Sequence, residues 1–187
     1  KIIDIRNDIR NYGELPNTIK KYKPDLVFHL AAQPIVRKSY DNPIETFNTN
    51  FNGTLNVLEA LRENKCVKAA IFITTDKVYR NNEDFWGYRE KDPLGGFDPY
   101  SSSKACAEIL IESYRNSFFN PKLISKNPVN TRIASVRAGN VIGGGDWQQD
   151  RLVPDCIRAI YKNEPIIIRN PHATRPWQHV LDRKSVV

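Results

Sequence analysis

The chain has 187 residues, of which 40% are hydrophobic and 26% charged, and its formal net charge is +7. That is the balance of an ordinary soluble globular protein, and the length suffices for one good-sized domain with a sizeable core. No apolar run approaches the ~18 residues of a membrane span, and the opening KIIDIRNDIRNYG lacks the apolar centre of a signal peptide. Cys66, Cys106 and Cys156 stand far apart without a CxxC pair. A disulfide framework or zinc site is therefore not expected, and a reducing cytoplasm is the simplest compartment. Lys and Arg interleave with acids, as in RENK and REKD, and no zinc-finger or RNA-module spacing occurs. The excess charge reads as a solvated basic surface, or as a pocket for a small diphosphate.

Short apolar runs alternate with longer helical periods. Residues 1–5 (KIIDI) have the pattern of a strand. Leu15, Ile19 and Tyr22 fall on one helical face that Pro24 ends. DLVFHL (25–30) is a strand-length run. Asn42 and Pro43 open a helix over 43–63, with Ile44, Phe47, Phe51, Leu55, Leu58 and Leu61 at spacings of three and four. KAAIFIT (68–74) reads as a buried strand. A second long helix covers 100–119, with Cys106, Leu110, Tyr114 and Phe118 on one stripe and Ala107 and Ile111 beside it. RIASVRA (132–138) is a further strand, 151–163 an amphipathic helix, and PIIIR (165–169) a closing strand. The alternation predicts an α/β fold, a parallel sheet with crossover helices. Ligands bind such sheets beyond the carboxyl ends of the strands, which directs attention to 30–34, 74–77 and 138–146.

At the first of these ends stands HLAAQP (29–34), whose two alanines let a flat ligand approach the backbone; a tight strand-to-loop turn would look the same. Thr74, Thr75, Asp76 and Lys77 end the next strand. Hydroxyl, carboxylate and ammonium in a row supply a hydrogen-bond donor, a proton donor and a base, although an exposed loop with an ion pair is the plainer alternative. Tyr100 and Lys104 lie four apart, on one face of the helix that GGFDP introduces. There the ammonium can lower the phenol's pKa, so that the phenolate takes a proton from a hydroxyl. RAGNVIGGGDW (137–147) follows the last strand; its three glycines permit close backbone approach, yet neither a P-loop nor a GxGxxG fingerprint occurs anywhere. Arg151, Arg169 and Arg175 come after it and suit a diphosphate. His29, His172 and His179 lack metal-ligand spacing, so no metal is expected.

Taken together, DIR (4–6), HLAAQP, TN (49–50), TTDK, GGFDPYSSSKACAE, RAGNVIGGGDW, RLVPDCIRA and RNPHATRPWQHVL resemble the extended short-chain dehydrogenase/reductase family. Within it they are similar to the branch of nucleotide-sugar 4,6-dehydratases that acts on CDP-glucose. YxxxK and HLAA are general to the superfamily, whereas GNVIGGGDW, RLVPDC and NPxATRPWQHVL point to the CDP-sugar branch. The resemblance runs from about Ile3 to about Leu181, and residues 183–187 depart from it.

The resemblance implies a Rossmann-like fold and a redox-neutral dehydration with tightly held NAD. Tyr100, helped by Lys104, would deprotonate the C4 hydroxyl as hydride moves from C4 to NAD, with Thr75 bonded to the C4 oxygen. Asp76 would protonate the departing C6 hydroxyl. A glutamate serves as C5 base in related dTDP-glucose enzymes at the position of Lys77. Asp4 and Ile5 would contact the adenine end of NAD, Leu30, Ala31 and Ala32 would line it, Thr49 would lie near it, and Tyr100 and Lys104 would bind the nicotinamide ribose. Pro34, Asn140, Arg151, Leu152, Arg169 and Arg175 would hold the nucleotide sugar. Helices 43–63 and 100–119 form a homodimer interface in this family. Residues 1–147 would be a partial NAD-binding domain and 148–187 the start of a substrate-binding region. The Gly-rich first βαβ unit and most of the substrate domain would lie outside this chain, part of a protein roughly twice as long and needed for activity. Other readings are a different nucleotide-sugar dehydratase, a 4-epimerase, or a non-catalytic NAD-fold binding module; a nucleic-acid binder comes last.

Overall fold

The structure, a computed structural model, describes residues 2–120, 122 and 131–182. These cluster into two compact units, Lys1–Arg137 and Ala138–Val187.

In the first unit a 3-10 turn, Tyr12–Glu14, leads into α1, Leu15–Tyr22. Lys23 closes this helix in the left-handed region (φ 45°), its N–H returning to the Ile19 carbonyl, and Pro24 prevents continuation. Strand β1 (Leu26–His29) pairs in parallel with β2 (Ala69–Thr75), Leu26 opposite Ala69 and His29 opposite Phe72. Next in the sheet comes β3, Arg132–Ala138. It runs the same way as β2: Arg132 N donates to Lys68 O at one end, while Thr74 Oγ1 meets Val136 O at the other. The parallel sheet expected from the alternation is therefore present.

The helix over 43–63 is interrupted. Between β1 and it a short helix, α2 (Val36–Asp41), forms that the apolar spacing does not reveal. Asn42 then caps α3 (Pro43–Phe47) by accepting from Glu45 N, with Pro43 in the first turn. A π turn, Asn48–Asn52, joins α3 to α4, Gly53–Glu63. The extra residue of that turn belongs to a stretch where Asn50 is fully buried and bonded to a neighbouring loop. The buried face is accordingly Thr46, Asn50, Thr54, Val57, Leu58 and Leu61, while Ile44 stays 75% exposed. The core itself gathers Ile19, Leu58, Leu61, Val67, Phe72, Ile111, Phe119 and Ile133 from both sides of this layer. Burying such side chains against the sheet is what stabilises the short elements, since each isolated helix is marginal in water.

The longest helix, α5, is Pro99–Ser117. Asp98 caps it by accepting from Ser101 N at 3.0 Å, and Pro99 occupies the first turn. Gly96 lies so close to this turn that a Cβ there would sit 2.1 Å from the Ser101 carbonyl carbon and the Ser102 nitrogen. Only glycine permits that approach, which Ser102 Oγ seals by donating to Gly96 O at 2.7 Å.

Two expected strands are absent. Residues 2–5 form no ladder, and Ile2 and Ile3 are 94% and 58% exposed. An apolar run becomes a strand only with a pairing neighbour, and these residues have none among those described. In the second unit, residues 165–169 are also without strand structure, and Ile167 is 83% exposed. There β4 (Asn140–Ile142) takes β5 (Trp177–His179) as its parallel partner instead, Asn140 opposite Trp177. Helix α6, Leu152–Lys162, ends at Asn163 in the left-handed region (φ 56°). Arg158 on α6 donates to Trp147 O and Gln148 O at 2.9 and 3.1 Å, tying down the loop before the helix.

Candidate active site

The carboxyl end of β2 and the first turns of α5 meet in the first unit. Thr75 closes β2 with 7% exposure, and its hydroxyl donates to Asp76 Oδ1 at 3.0 Å. Asp76 and Lys77 begin a 3-10 turn, Asp76–Val78, that Thr75 caps. Lys77 is exposed, yet its ammonium lies 6.0 Å from the centre of the Tyr100 ring. Tyr100 is 9% exposed, its backbone N–H donating to Ser39 Oγ at 3.1 Å.

Lys104, 5% exposed, donates to Ile73 O at 3.2 Å. Burial pushes its ammonium pKa down to about 8, against the opposing pull of the Glu108 carboxylate. A lysine poised there is charged near neutrality and has N–H donors besides the one given to Ile73. That donor set suits ribose hydroxyls and a phenolate, so the residues fit a nicotinamide ribose. Beside it, His29 is held near a pKa of about 4 by burial and by the Lys104 charge. The imidazole is therefore neutral at pH 7. Thr54 Oγ1 gives its proton to Asn50 O at 2.7 Å, so at 3.1 Å His29 Nε2 is the donor to Thr54.

The stretch after β1 is fixed by side chains rather than by its own turn chemistry. Asn50 Oδ1 accepts from Gln33 N at 2.8 Å and Asn50 Nδ2 donates to Gln33 O at 3.1 Å and to Ser103 Oγ at 2.9 Å. Ser103 Oγ donates to Tyr100 O at 2.7 Å. The same network thus holds the HLAAQP loop and the α5 turn that carries Tyr100. Leu30, Ala31 and Pro34 are exposed on that loop, and Ala32 is half-buried. Thr49 is half-buried in the π turn. Asp4 and Ile5 are exposed, and Asp4 pairs with Arg6 at 3.1 Å.

Five of the expected substrate residues belong to the second unit. Asn140 opens β4, Arg151 precedes α6 and Leu152 begins it. Arg169 is ion-paired with Asp150 and lies 3.9 Å from Asp155. Arg151 Nε is buried without a hydrogen bond, 3.4 Å from Asp146. Arg175 donates to the neighbouring Thr174 carbonyl. The Arg151 and Arg169 guanidinium groups face carboxylates that an anionic ligand would have to replace.

Motif reading passed over Ser39, Ser103 and Glu108, and gave His29 and Asn50 no role of their own. Glu108 had a legible signal: it continues the Tyr100, Lys104 spacing by one more turn, placing an acid beside the lysine on the same helix face. Ser39 had none, because a serine in a short helix looks like any surface residue. Among the described residues no group of three His, Cys, Asp or Glu side chains is placed to hold a metal. The three cysteines are free thiols.

Residues 2–187 match the family model described as GDP-mannose 4,6 dehydratase. A CDP-glucose 4,6-dehydratase of Salmonella typhimurium is 55% identical over 178 residues, covering 95% of this chain and 49% of that protein. The chain thus spans about half the length of this curated relative. Among solved structures, Thermus thermophilus UDP-glucose 4-epimerase in complex with NAD superposes with TM-score 0.78 at 25% identity, over 94% of this chain and 55% of that one. Bacillus cereus UDP-glucuronic acid 4-epimerase, in complex with UDP-glucuronic acid and NAD, gives 0.77 at 26%, over 94% and 51%. With its parallel sheet and its Tyr100, Lys104 helix, the chain belongs to the GDP-mannose 4,6-dehydratase family of Rossmann-like proteins.

Proposed function

We propose that this chain belongs to an NAD-dependent lyase that dehydrates CDP-glucose to CDP-4-keto-6-deoxyglucose, in deoxysugar and surface-polysaccharide synthesis. The observation that carries the reading is the meeting of two catalytic sets in one unit: Tyr100 and Lys104 on α5, Thr75 and Asp76 at the end of β2. The 55% identity to a CDP-glucose 4,6-dehydratase supports CDP as the nucleotide.

When bound, NAD would accept hydride from C4 of the sugar and return it to C6. Tyr100 takes the proton of the C4 hydroxyl, its phenolate favoured by the Lys104 ammonium, and the Thr75 hydroxyl turns from Asp76 to donate to the same oxygen. The 4-keto group acidifies the C5 proton. Asp76 then protonates the departing C6 hydroxyl. Lys77, whose ammonium lies 6.0 Å from the centre of the Tyr100 ring, is the candidate C5 base and acts as one only in its neutral form. Asp4, Ile5, Leu30, Ala31, Ala32 and Thr49 are the proposed cofactor contacts; Pro34, Asn140, Arg151, Leu152, Arg169 and Arg175 are those for the nucleotide sugar. Residues 1–147 would be a partial NAD-binding domain, with Pro34 and Asn140 reaching the sugar, and 148–187 the start of a substrate-binding region.

The protein would be a cytoplasmic homodimer through 43–63 and 100–119. Exposed Ile44, Ile109 and Phe118 on these helices support an interface there, and among the described residues no helix is long and apolar enough to cross a membrane.

The test is mass spectrometry of CDP-glucose after incubation with NAD and the intact protein, with dTDP-glucose and UDP-glucose in parallel. Loss of one water from CDP-glucose alone is expected; unchanged mass for all three overturns the reading. A second reading, 4-epimerisation, draws on the two 4-epimerases that share the fold. It needs Tyr100 and Lys104 but not Asp76, and leaves the mass unchanged.

A further inference from the structure

The Glu108 carboxylate is 4% exposed, one helical turn beyond Lys104 and two beyond Tyr100 on α5. It accepts from three donors on two strands: the Thr74 hydroxyl, Ser135 Oγ at 3.0 Å and Arg137 Nη2 at 3.0 Å. A buried ion pair of this kind is costly to desolvate, and an apolar residue would pack there more cheaply. What the carboxylate achieves is register. Lys104 donates to Ile73 O and Glu108 receives Thr74, so α5 is fastened to two successive residues of β2. Thr75 and Asp76 come immediately after them. A slide of α5 along the strand by one residue breaks both fastenings at once.

We infer that Glu108 is a positioning residue, locking the Tyr100 and Lys104 helix against the strand end that carries Thr75 and Asp76 and placing a fixed negative charge behind Lys104. This rests on the roles proposed above for Tyr100 and Lys104. The charges around the pair come from every neighbouring element. His29 of β1 is neutral, Arg137 of β3 faces Glu108, Tyr79 lies 4.9 Å from the Arg137 guanidinium, and Asp76 and Lys77 stand on the 3-10 turn. Glu59 of α4 is already engaged by Arg62 and Tyr114. Burial alone would raise the Glu108 carboxyl, but Arg137 and Thr74 hold it below the usual range, so it is ionised at pH 7.

In Glu108→Gln the amide keeps the volume and removes the charge, and Arg137 loses its counter-ion. Both changes make the Lys104 ammonium easier to deprotonate. Because activity requires the charged form, the alkaline limb of kcat against pH moves to lower pH, by about one unit, while KM changes less than about threefold. The experiment is that pH profile, measured as CDP-4-keto-6-deoxyglucose formation by the intact protein with NAD, for wild type, Glu108→Gln and Tyr100→Phe. An inactive Tyr100→Phe with a shifted Glu108→Gln limb supports the inference. An inactive Tyr100→Phe with a Glu108→Gln profile that superimposes on wild type overturns it and leaves Tyr100 in place. A fully active Tyr100→Phe overturns the underlying reading instead. If Glu108→Gln does not fold, Thr74→Val, which removes one anchor and keeps the charge, lowers kcat several-fold with KM little changed; wild-type kcat in that variant also overturns the inference.

Discussion

Asn50 binds the backbone of Gln33 at both ends, accepting from its N–H at 2.8 Å and donating to its carbonyl at 3.1 Å. Both residues are buried. One amide side chain therefore satisfies the N–H and the carbonyl of a residue that no sheet or helix reaches. Asn50→Ala leaves these groups unpaired and costs about 3 kcal/mol of stability. Urea unfolding of the intact protein checks this, and a loss below about 0.5 kcal/mol would mean that water replaces the amide at no cost.

Gly96 is the second structural constraint on the site. A methyl group at this position collides with the backbone of Ser101 and Ser102. Gly96→Ala is expected to cost about 2 kcal/mol and to lower kcat by displacing the turn that carries Tyr100. Unfolding and steady-state rates equal to wild type would show that the loop yields instead.

Tyr100→Phe removes the base proposed for the first step. Turnover falls by about a thousandfold, while calorimetric binding of CDP-glucose stays within a few-fold of wild type. Activity close to wild type in this variant would refute the assignment.

Asp76→Asn acts later. Oxidation at C4 is expected to proceed, but the C6 hydroxyl, deprived of its proposed proton donor, leaves slowly, so absorbance at 340 nm rises on mixing with CDP-glucose and persists. A flat trace from this variant removes Asp76 from the elimination step.

His29 makes a prediction about pH. Its folded pKa of about 4 lies below the ordinary value of 6.5, so between those values the unfolded chain binds the extra proton. Stability is fully present above pH 6.5 and declines as pH falls towards 4, by up to about 1.4 kcal/mol per unit. His29→Gln, whose amide can still donate to Thr54, flattens that part of the curve. Parallel stability–pH curves for the two proteins would rule His29 out as the source.

How much of the site is legible in the sequence depends on how local its causes are. Tyr100 and Lys104 share a face because a helix turns every 3.6 residues, and Asp98 with Pro99 announces where that helix begins. The strand ends at His29 and Thr75 follow from short apolar runs of strand length. Asn50 and Ser39 carry no such mark. Their partners lie 17 and 61 residues away, at Gln33 and Tyr100, and no spacing rule joins positions so distant. The same limit explains residues 165–169. Three isoleucines have the composition of a strand, but β4 pairs with Trp177–His179, and pairing is a choice among distant segments.

By itself, then, the sequence determined the parallel α/β arrangement, the helix bearing Tyr100 and Lys104, and the family, because periodicity, capping and motif order are properties of neighbouring residues. Only the tertiary structure decided which strands pair, which face of 43–63 is buried, and that Glu108 and Asn50 hold the site together. Those outcomes depend on burial, where a polar group must find a partner wherever the fold brings one.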